Sequence, residues 1–420
     1  DPSGKGRVTG EIDFEELSAK ALILIGNMQL LSALNAGLIG DNLQISPAGD
    51  LLSDRTIFDK TLRPAAEKSA VKKFDDAEQT YVRERENEHG IQEKSDQEYY
   101  GRLDAVIQSE YHCTRQALVD LAYAITEVCE AEGSDIVVYS QADLLSAIQS
   151  VSAYEHKVGI ETIERLTLYC RKSWDVQLPQ TEERDYDLSR FDRKASLTSR
   201  PLLAIEETDN PTIMVSPVLV YEAVRYALVG LIEGTLHGQF FDSKEIVKFA
   251  GAQADKNGRE FEDEIASQLK KWGFQAWPRK TVPSIIGTRT ETDLGDVDVF
   301  AISPDKQTVL AIEAKNLKIC RNESEVAARM SAYRGDEKID TKGRKRPDKL
   351  RKHLIRVSKL KSNAEKIAKT FSLPNTPKIR GLLVFNTPQP MNFFMFEKFD
   401  NAECCEFDEL SSKLNVVKVD

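Results

Sequence analysis

A chain of 420 residues, 41% hydrophobic and 30% charged, has room for two or three domains and the composition of an ordinary globular protein, which excludes a low-complexity or collagen-like chain. Its six cysteines form no C-x-x-C pair and its five histidines are scattered, so a zinc site is not expected, and a cytoplasmic protein with reduced thiols is. The net charge of −11 is uneven: residues 1–250 carry −17 and residues 251–420 carry +6, so the first part repels phosphate and the second does not.

Residues 13–40 predict a buried helix or helical pair. Asn27, Gln29 and Asn35 interrupt its apolar window, which argues against a membrane span. A link, ISPAGDLLSD, leads to a charged stretch over 58–95, expected as a solvated helical arm. Ser95–Glu132 predicts one long amphipathic helix, with Leu103, Val106, Ile107, Leu118, Leu121 and Ile125 at helical spacings. A short strand (DIVVYS), one or two helices over 141–174, a polar boundary loop, a hairpin from 200–207 and 212–216, and a buried helix over 218–236 follow. Residues 1–245 thus form a mostly helical module without catalytic chemistry of its own. Oligomerisation, docking of a protein partner or restraint of the following domain is its expected role.

Residues 250–390 carry the chemistry. The helix GREFEDEIASQLKKWGF puts Phe261, Ile265, Leu269 and Trp272 on one stripe, with Glu262 on the same side. Two strand-like runs, LGDVDVFAIS and TVLAIEAKN, then alternate with period two. Asp298 shares a face with Asp296, Phe300 and Ile302, and Glu313 and Lys315 share one with Val309 and Ala311. A hairpin turning through Ser303–Gln307 sets Asp298 beside Glu313 and Lys315. A salt bridge is the plain reading of Glu262 taken alone. For the whole set, two carboxylates about 4 Å apart repel by roughly 4 kcal/mol at an effective dielectric near 20, so three around one lysine call for a divalent cation. With oxygen ligands only, that cation is Mg²⁺ or Mn²⁺. Such an ion holds a phosphate and lowers the pKa of a bound water, which the lysine can orient.

In this order and spacing, the glutamate of GREFE, the aspartate of GDVDVFA and the E-x-K of IEAKN resemble the PD-(D/E)xK nuclease superfamily, in particular its Mrr-type and junction-resolvase branch. Val297 stands at the nominal proline position, and the likeness covers about Lys256–Pro388. The resemblance implies a restriction-endonuclease-like αβββαβ domain. It implies Asp298 and Glu313 as metal ligands, joined by the Ala314 backbone carbonyl and Glu262, and Lys315 as the residue that assists the nucleophilic water. The implied activity is a Mg²⁺- or Mn²⁺-dependent nuclease acting on DNA in preference to RNA, in restriction or phage defence. An RNase, or a non-catalytic module gripping nucleic acid or a protein on the same fold, stays open.

Lys342–Lys369 holds twelve Lys and Arg around an apolar stripe of Leu350, Leu354, Val357, Leu360, Ala364, Ile367 and Ala368. It predicts a helix whose Lys349, Lys352, Arg356 and Lys359 contact phosphates, against the alternative of a merely solvated face. KIRGLLVFNTP supplies a fourth strand, and residues 391–420 are expected to pack on the domain as an extension, a strand and helix outside the core. The fold class is α+β, with no membrane partner.

Overall fold

The computed structural model describes residues 11–35, 44–47, 51–52, 58–72, 94–151, 158–171, 176–177, 181–186, 192–236, 238–290, 293–339, 343–393 and 402–416. The fold is α+β. The chain forms two compact units, Asp1–Gly26 with Asn87–Asp255 and Asn27–Glu86 with Lys256–Asp420.

In the first unit the helix expected over 95–132 is two helices, Lys94–Tyr111 and Arg115–Glu132. His112 turns the chain at a positive φ of 58°, and Thr114 caps the second helix by accepting from the Ala117 N–H. Leu103, Ile107, Leu118, Leu121 and Ile125 are buried, as their spacing requires. The helices Gln141–Ser150 and Ile160–Leu166 fall in the predicted helical stretch, but Thr167–Leu168 leaves it to join a sheet. That sheet runs Val137–Ser140, Thr212–Val215, Leu202–Ala204, Thr167–Leu168, antiparallel except for the last pair. The Glu110 carboxylate is buried and fully partnered. It accepts from Arg165 Nε at 2.8 Å and from the backbone N–H groups of Asp242 and Ser243 at 3.1 and 2.7 Å.

The N-terminal helix, Glu11–Asn35, is not buried as expected: Leu17, Leu22, Ile23, Leu24 and Leu31 are each more than half exposed. Among the described residues no helix is long and apolar enough to cross a membrane. Of the charged stretch over 58–95, residues 58–72 and 94–95 are described, and over 58–72 it is not simply solvated. Thr61, Ala65 and Ser69 are buried, and Lys68 pairs with Glu406 and Glu409, both at 2.6 Å. These ion pairs tie it to the far end of the sequence, within the second unit.

The second unit is built on the part of α1 (Lys244–Lys271) from Lys256 onward, β1 (Gln275–Thr281), α2 (Val282–Ile286), β2 (Asp296–Ile302) and β3 (Thr308–Lys315). Then come α3 (Glu323–Ser331), a ribbon of β4 (Glu337–Ile339) and β5 (Lys345–Pro347), α4 (Lys349–Lys361), α5 (Ala364–Thr370), β6 (Lys378–Phe385) and β7 (Glu403–Glu406). The main sheet has the order β7-β6-β3-β2-β1, with β1, β2 and β3 an antiparallel meander and β6 and β7 parallel to β3 and to each other. The expected succession of helix, three strands, helical connection and strand is therefore present.

The C-terminal stretch extends this sheet instead of lying outside it. Its strand β7 pairs with β6, and Cys405 and Leu410 enter the core. The basic stretch 342–369 is a strand and two helices, not one helix. Asp348 explains the break by capping α4: its carboxylate accepts from the Arg351 N–H at 2.7 Å.

Strand alternation divides the core in two. Phe261, Ile265 and Leu269 of α1 pack with Val299, Ala301, Leu310 and Ile312 on one face of the sheet. Val357 and Leu360 of α4 pack with Phe300, Ile302, Val309 and Ala311 on the other. Asp298 and Glu313 have the parity of this second set. The topology thus aims both carboxylates at α4.

Candidate active site

The hairpin of β2 and β3 pairs Val299 with Ile312, and continuing that register puts Asp298 across from Glu313. Lys315, two residues on, turns its ammonium between them, 3.0 Å from Asp298 Oδ2 and 2.7 Å from Glu313 Oε1. The Ala314 N–H also donates to Asp298 Oδ2, at 3.0 Å. Three of the expected residues therefore converge, and Ala314 supports them through its backbone.

Glu262 does not join this trio. It sits on α1, which packs on the opposite face of the sheet, and its carboxylate accepts from Arg279 Nη1 at 2.9 Å, while Arg279 Nη2 reaches Asp263 at 2.6 Å. Arg279 lies across from Asp298 in the register of β1 and β2, but its positive φ of 52° turns it away. The salt bridge expected of Glu262 taken alone is present, with Arg279 as its partner, while the Glu262 charge still acts on Asp298. Among the described residues, no three His, Cys, Asp or Glu side chains converge as a metal cage would require.

Arg356 is the second correction. Expected on a phosphate-tracking face, it is largely buried. Its Nε donates to the Leu294 carbonyl at 2.8 Å, and its Nη1 donates to Glu313 Oε2. The reason is helical phase: Leu350, His353, Val357 and Leu360 form the buried stripe of α4, and Arg356 lies on its flank, one turn from His353. Lys349, Lys352 and Lys359 remain exposed. The acidic pair is thus served by two cations, not one.

The two carboxylates differ electrostatically. Burial alone would raise Glu313, but Lys315 and Arg356 outweigh it and hold its carboxyl below the usual value. Asp298 is under-compensated: burial and the Glu313 charge push it up to about 6 despite Lys315. For Lys315 itself, the two carboxylates outweigh burial and raise its pKa, so it stays charged. His353, with Nδ1 3.7 Å from Glu313 Oε2, is pushed down to about 4 by burial and is neutral at physiological pH. Its Nε2 is buried without a hydrogen-bond partner among the described residues. Neither Arg356 nor His353 was assigned to the site from sequence; their position beside the apolar stripe of α4 was the available signal.

A hard divalent ion fits this donor set in kind. Mg²⁺ is commonly held by one or two carboxylates and completed by substrate phosphate and water. Oxygens of Asp298 and Glu313 already converge on a single ammonium, and Asp298 is short of positive charge.

No curated protein and no solved structure matches the chain. A family model described as Anti-phage protein Upx-like matches residues 2–411, nearly the whole sequence. The chain belongs to the Upx-like family of anti-phage proteins.

Proposed function

We propose that this anti-phage protein is a metal-dependent nuclease that hydrolyses DNA phosphodiester bonds. The carrying observation is the Lys315 ammonium held between Asp298 and Glu313 at adjacent strand ends, a buried arrangement whose aspartate is electrostatically unsatisfied. Perturbed pairs of this type concentrate at functional sites. Asp298 and Glu313, with the Ala314 carbonyl, would hold Mg²⁺ or Mn²⁺, which when bound supplies Lewis-acid charge at the phosphate. Lys315 keeps its proton and stabilises charge developing on the attacked phosphate. Arg356 positions Glu313. The exposed Lys352 and Lys359 lie on the flank of α4 and are suited to the nucleic-acid backbone.

The test is incubation with linear duplex, circular duplex and single-stranded DNA and with RNA, in Mg²⁺, Mn²⁺ or EDTA. Metal-dependent loss of DNA substrates supports the reading, and cleavage of RNA alone redirects it to an RNase. One observation favours a second reading: the Glu313 carboxylate is already ion-paired on both oxygens. Nucleic-acid binding with no cleavage in any metal would make the domain a non-catalytic gripping module.

A further inference from the structure

Tyr333 follows the C-terminus of α3 and packs its ring edge-on against Phe385, with centroids 6.0 Å apart. The residue is 1% exposed, and its hydroxyl, fully buried, has no hydrogen-bond partner among the described residues. A buried hydroxyl without a partner is unfavourable and uncommon in a native protein. Its surroundings are charged: Lys315, Arg329, Glu313 and Asp298 all act on it electrostatically. The hydroxyl therefore belongs to the edge of the acidic site. Burial pushes it up to about 12, so it remains a hydrogen-bond donor at any physiological pH.

Cations gather on the same side. Lys349, the first residue of α4, holds its ammonium 5.7 Å from the Tyr333 ring centroid. Although the side chain is solvent-exposed, partial desolvation and the charges of Lys315 and Arg329 lower its pKa. Lys349 makes no ion pair among the described residues. Among the described residues Arg329 donates to neutral acceptors only, the Lys318 carbonyl and Gln389 Oε1. Lys315 and Arg356 already engage both acidic residues, so among the described residues neither Lys349 nor Arg329 has an ion-pair partner of its own.

We propose that the Tyr333 hydroxyl, uncovered as the ligand enters, and the Lys349 ammonium, backed by Arg329, grip a phosphate oxygen of the nucleic-acid backbone beside Asp298, Glu313 and Lys315. The identity of the ligand as a phosphodiester rests on the nuclease reading; the anion site itself rests on the unpartnered hydroxyl and the uncompensated cations. An anionic oxygen supplies the acceptor that Tyr333 lacks and the counter-charge that Lys349 lacks. Neither residue need touch the metal ligands.

Tyr333→Phe is a direct probe because it deletes only the unpartnered hydroxyl. Melting curves in EDTA, with inorganic phosphate or a short DNA duplex added, read binding without cleavage. The Tyr333→Phe protein alone should melt at or above the wild-type temperature, and its affinity for both probes should fall roughly ten- to a hundred-fold. Lys349→Gln, a surface change, should lose binding in the same way. With Mg²⁺ present, DNA cleavage by both variants should fall alongside. Stabilisation of wild type by the duplex but not by inorganic phosphate would still support the grip if Tyr333→Phe removes it, with the backbone as source. Wild-type binding of neither probe, or equal binding by wild type and Tyr333→Phe, overturns the proposal. A wild type that binds through these residues but never cleaves would overturn the nuclease reading and leave the grip standing.

Discussion

Arg356, on the helix that covers the sheet, donates to Glu313 on the strand beneath, so the acidic site is closed from above by a cation of the chain itself. Glu313 is thereby stabilised by two opposite charges, whereas Asp298 shares one.

Neutralising the two carboxylates should have opposite effects in EDTA at neutral pH. Glu313→Gln strands Arg356 and leaves Lys315 with Asp298 alone, and removing one partner of a buried pair typically destabilises by about 3 to 5 kcal/mol. Asp298→Asn should leave stability unchanged or raise it. The signs follow from linkage. The raised pKa of Asp298 means its ionisation weakens the fold as pH climbs from the ordinary carboxylate value to about 6. The depressed pKa of Glu313 means its contribution is present above the ordinary value and is lost as pH falls through the lowered one. Urea unfolding of both variants measures this, and equal destabilisation would show the charge balance to be misjudged.

Much of this site was legible in the sequence. Period-two alternation and the Pro-Asp turn were enough to bring Asp298, Glu313 and Lys315 together, because a hairpin is a local structure. The partners of Glu262 and Glu313 were not legible. Glu262 lies on the helix that covers the other face, and a helical wheel shows that Arg356 flanks an apolar stripe without showing which flank meets the acidic pair. The same limit applies to Lys68, whose partners Glu406 and Glu409 lie more than three hundred residues away in sequence. The exposure of Leu22 and Ile23 was missed for a related reason: an apolar run shows a preference for burial, not whether a partner surface exists.

Arg356 and the exposed lysines of its helix should separate cleanly. Lys352→Ala with Lys359→Ala should flatten the salt dependence of duplex-DNA binding by about two units, at roughly 0.9 for each phosphate contact, with little change in stability. Arg356→Ala should lower stability by about 3 kcal/mol, because it leaves the buried Glu313 with Lys315 as its one remaining ion-pair partner of the two. A salt slope that responds to Arg356 but not to the two lysines would return Arg356 to the binding face.

Lys315 should govern rate more than metal affinity. Lys315→Gln removes the ammonium from between the carboxylates, so Mg²⁺ affinity should hold or rise while the saturated rate falls about a hundred- to a thousand-fold. Titration of Mg²⁺ against cleavage rate separates the two quantities. Weakened Mg²⁺ binding with an unchanged saturated rate would assign Lys315 the wrong role.

In the first unit, Glu110 holds Arg165 and the backbone of Asp242 and Ser243 together. Glu110→Gln should destabilise by about 3 kcal/mol, since it leaves the buried Arg165 with a weakened counter-charge. Chemical denaturation of the full chain measures it. A loss within 0.5 kcal/mol, about what surface substitutions show, would mean that the neighbouring Asp242 already suffices.

The most direct measurement is cleavage of linear duplex DNA by purified wild type and Asp298→Asn, each with Mg²⁺ and with EDTA, alongside a melting curve showing that the variant is folded. Wild type should cut only with Mg²⁺, and Asp298→Asn, folded at least as stably, should not cut. A folded Asp298→Asn protein with wild-type activity, or a wild type inert on DNA in both Mg²⁺ and Mn²⁺, would contradict the assignment of a nuclease site to Asp298, Glu313 and Lys315.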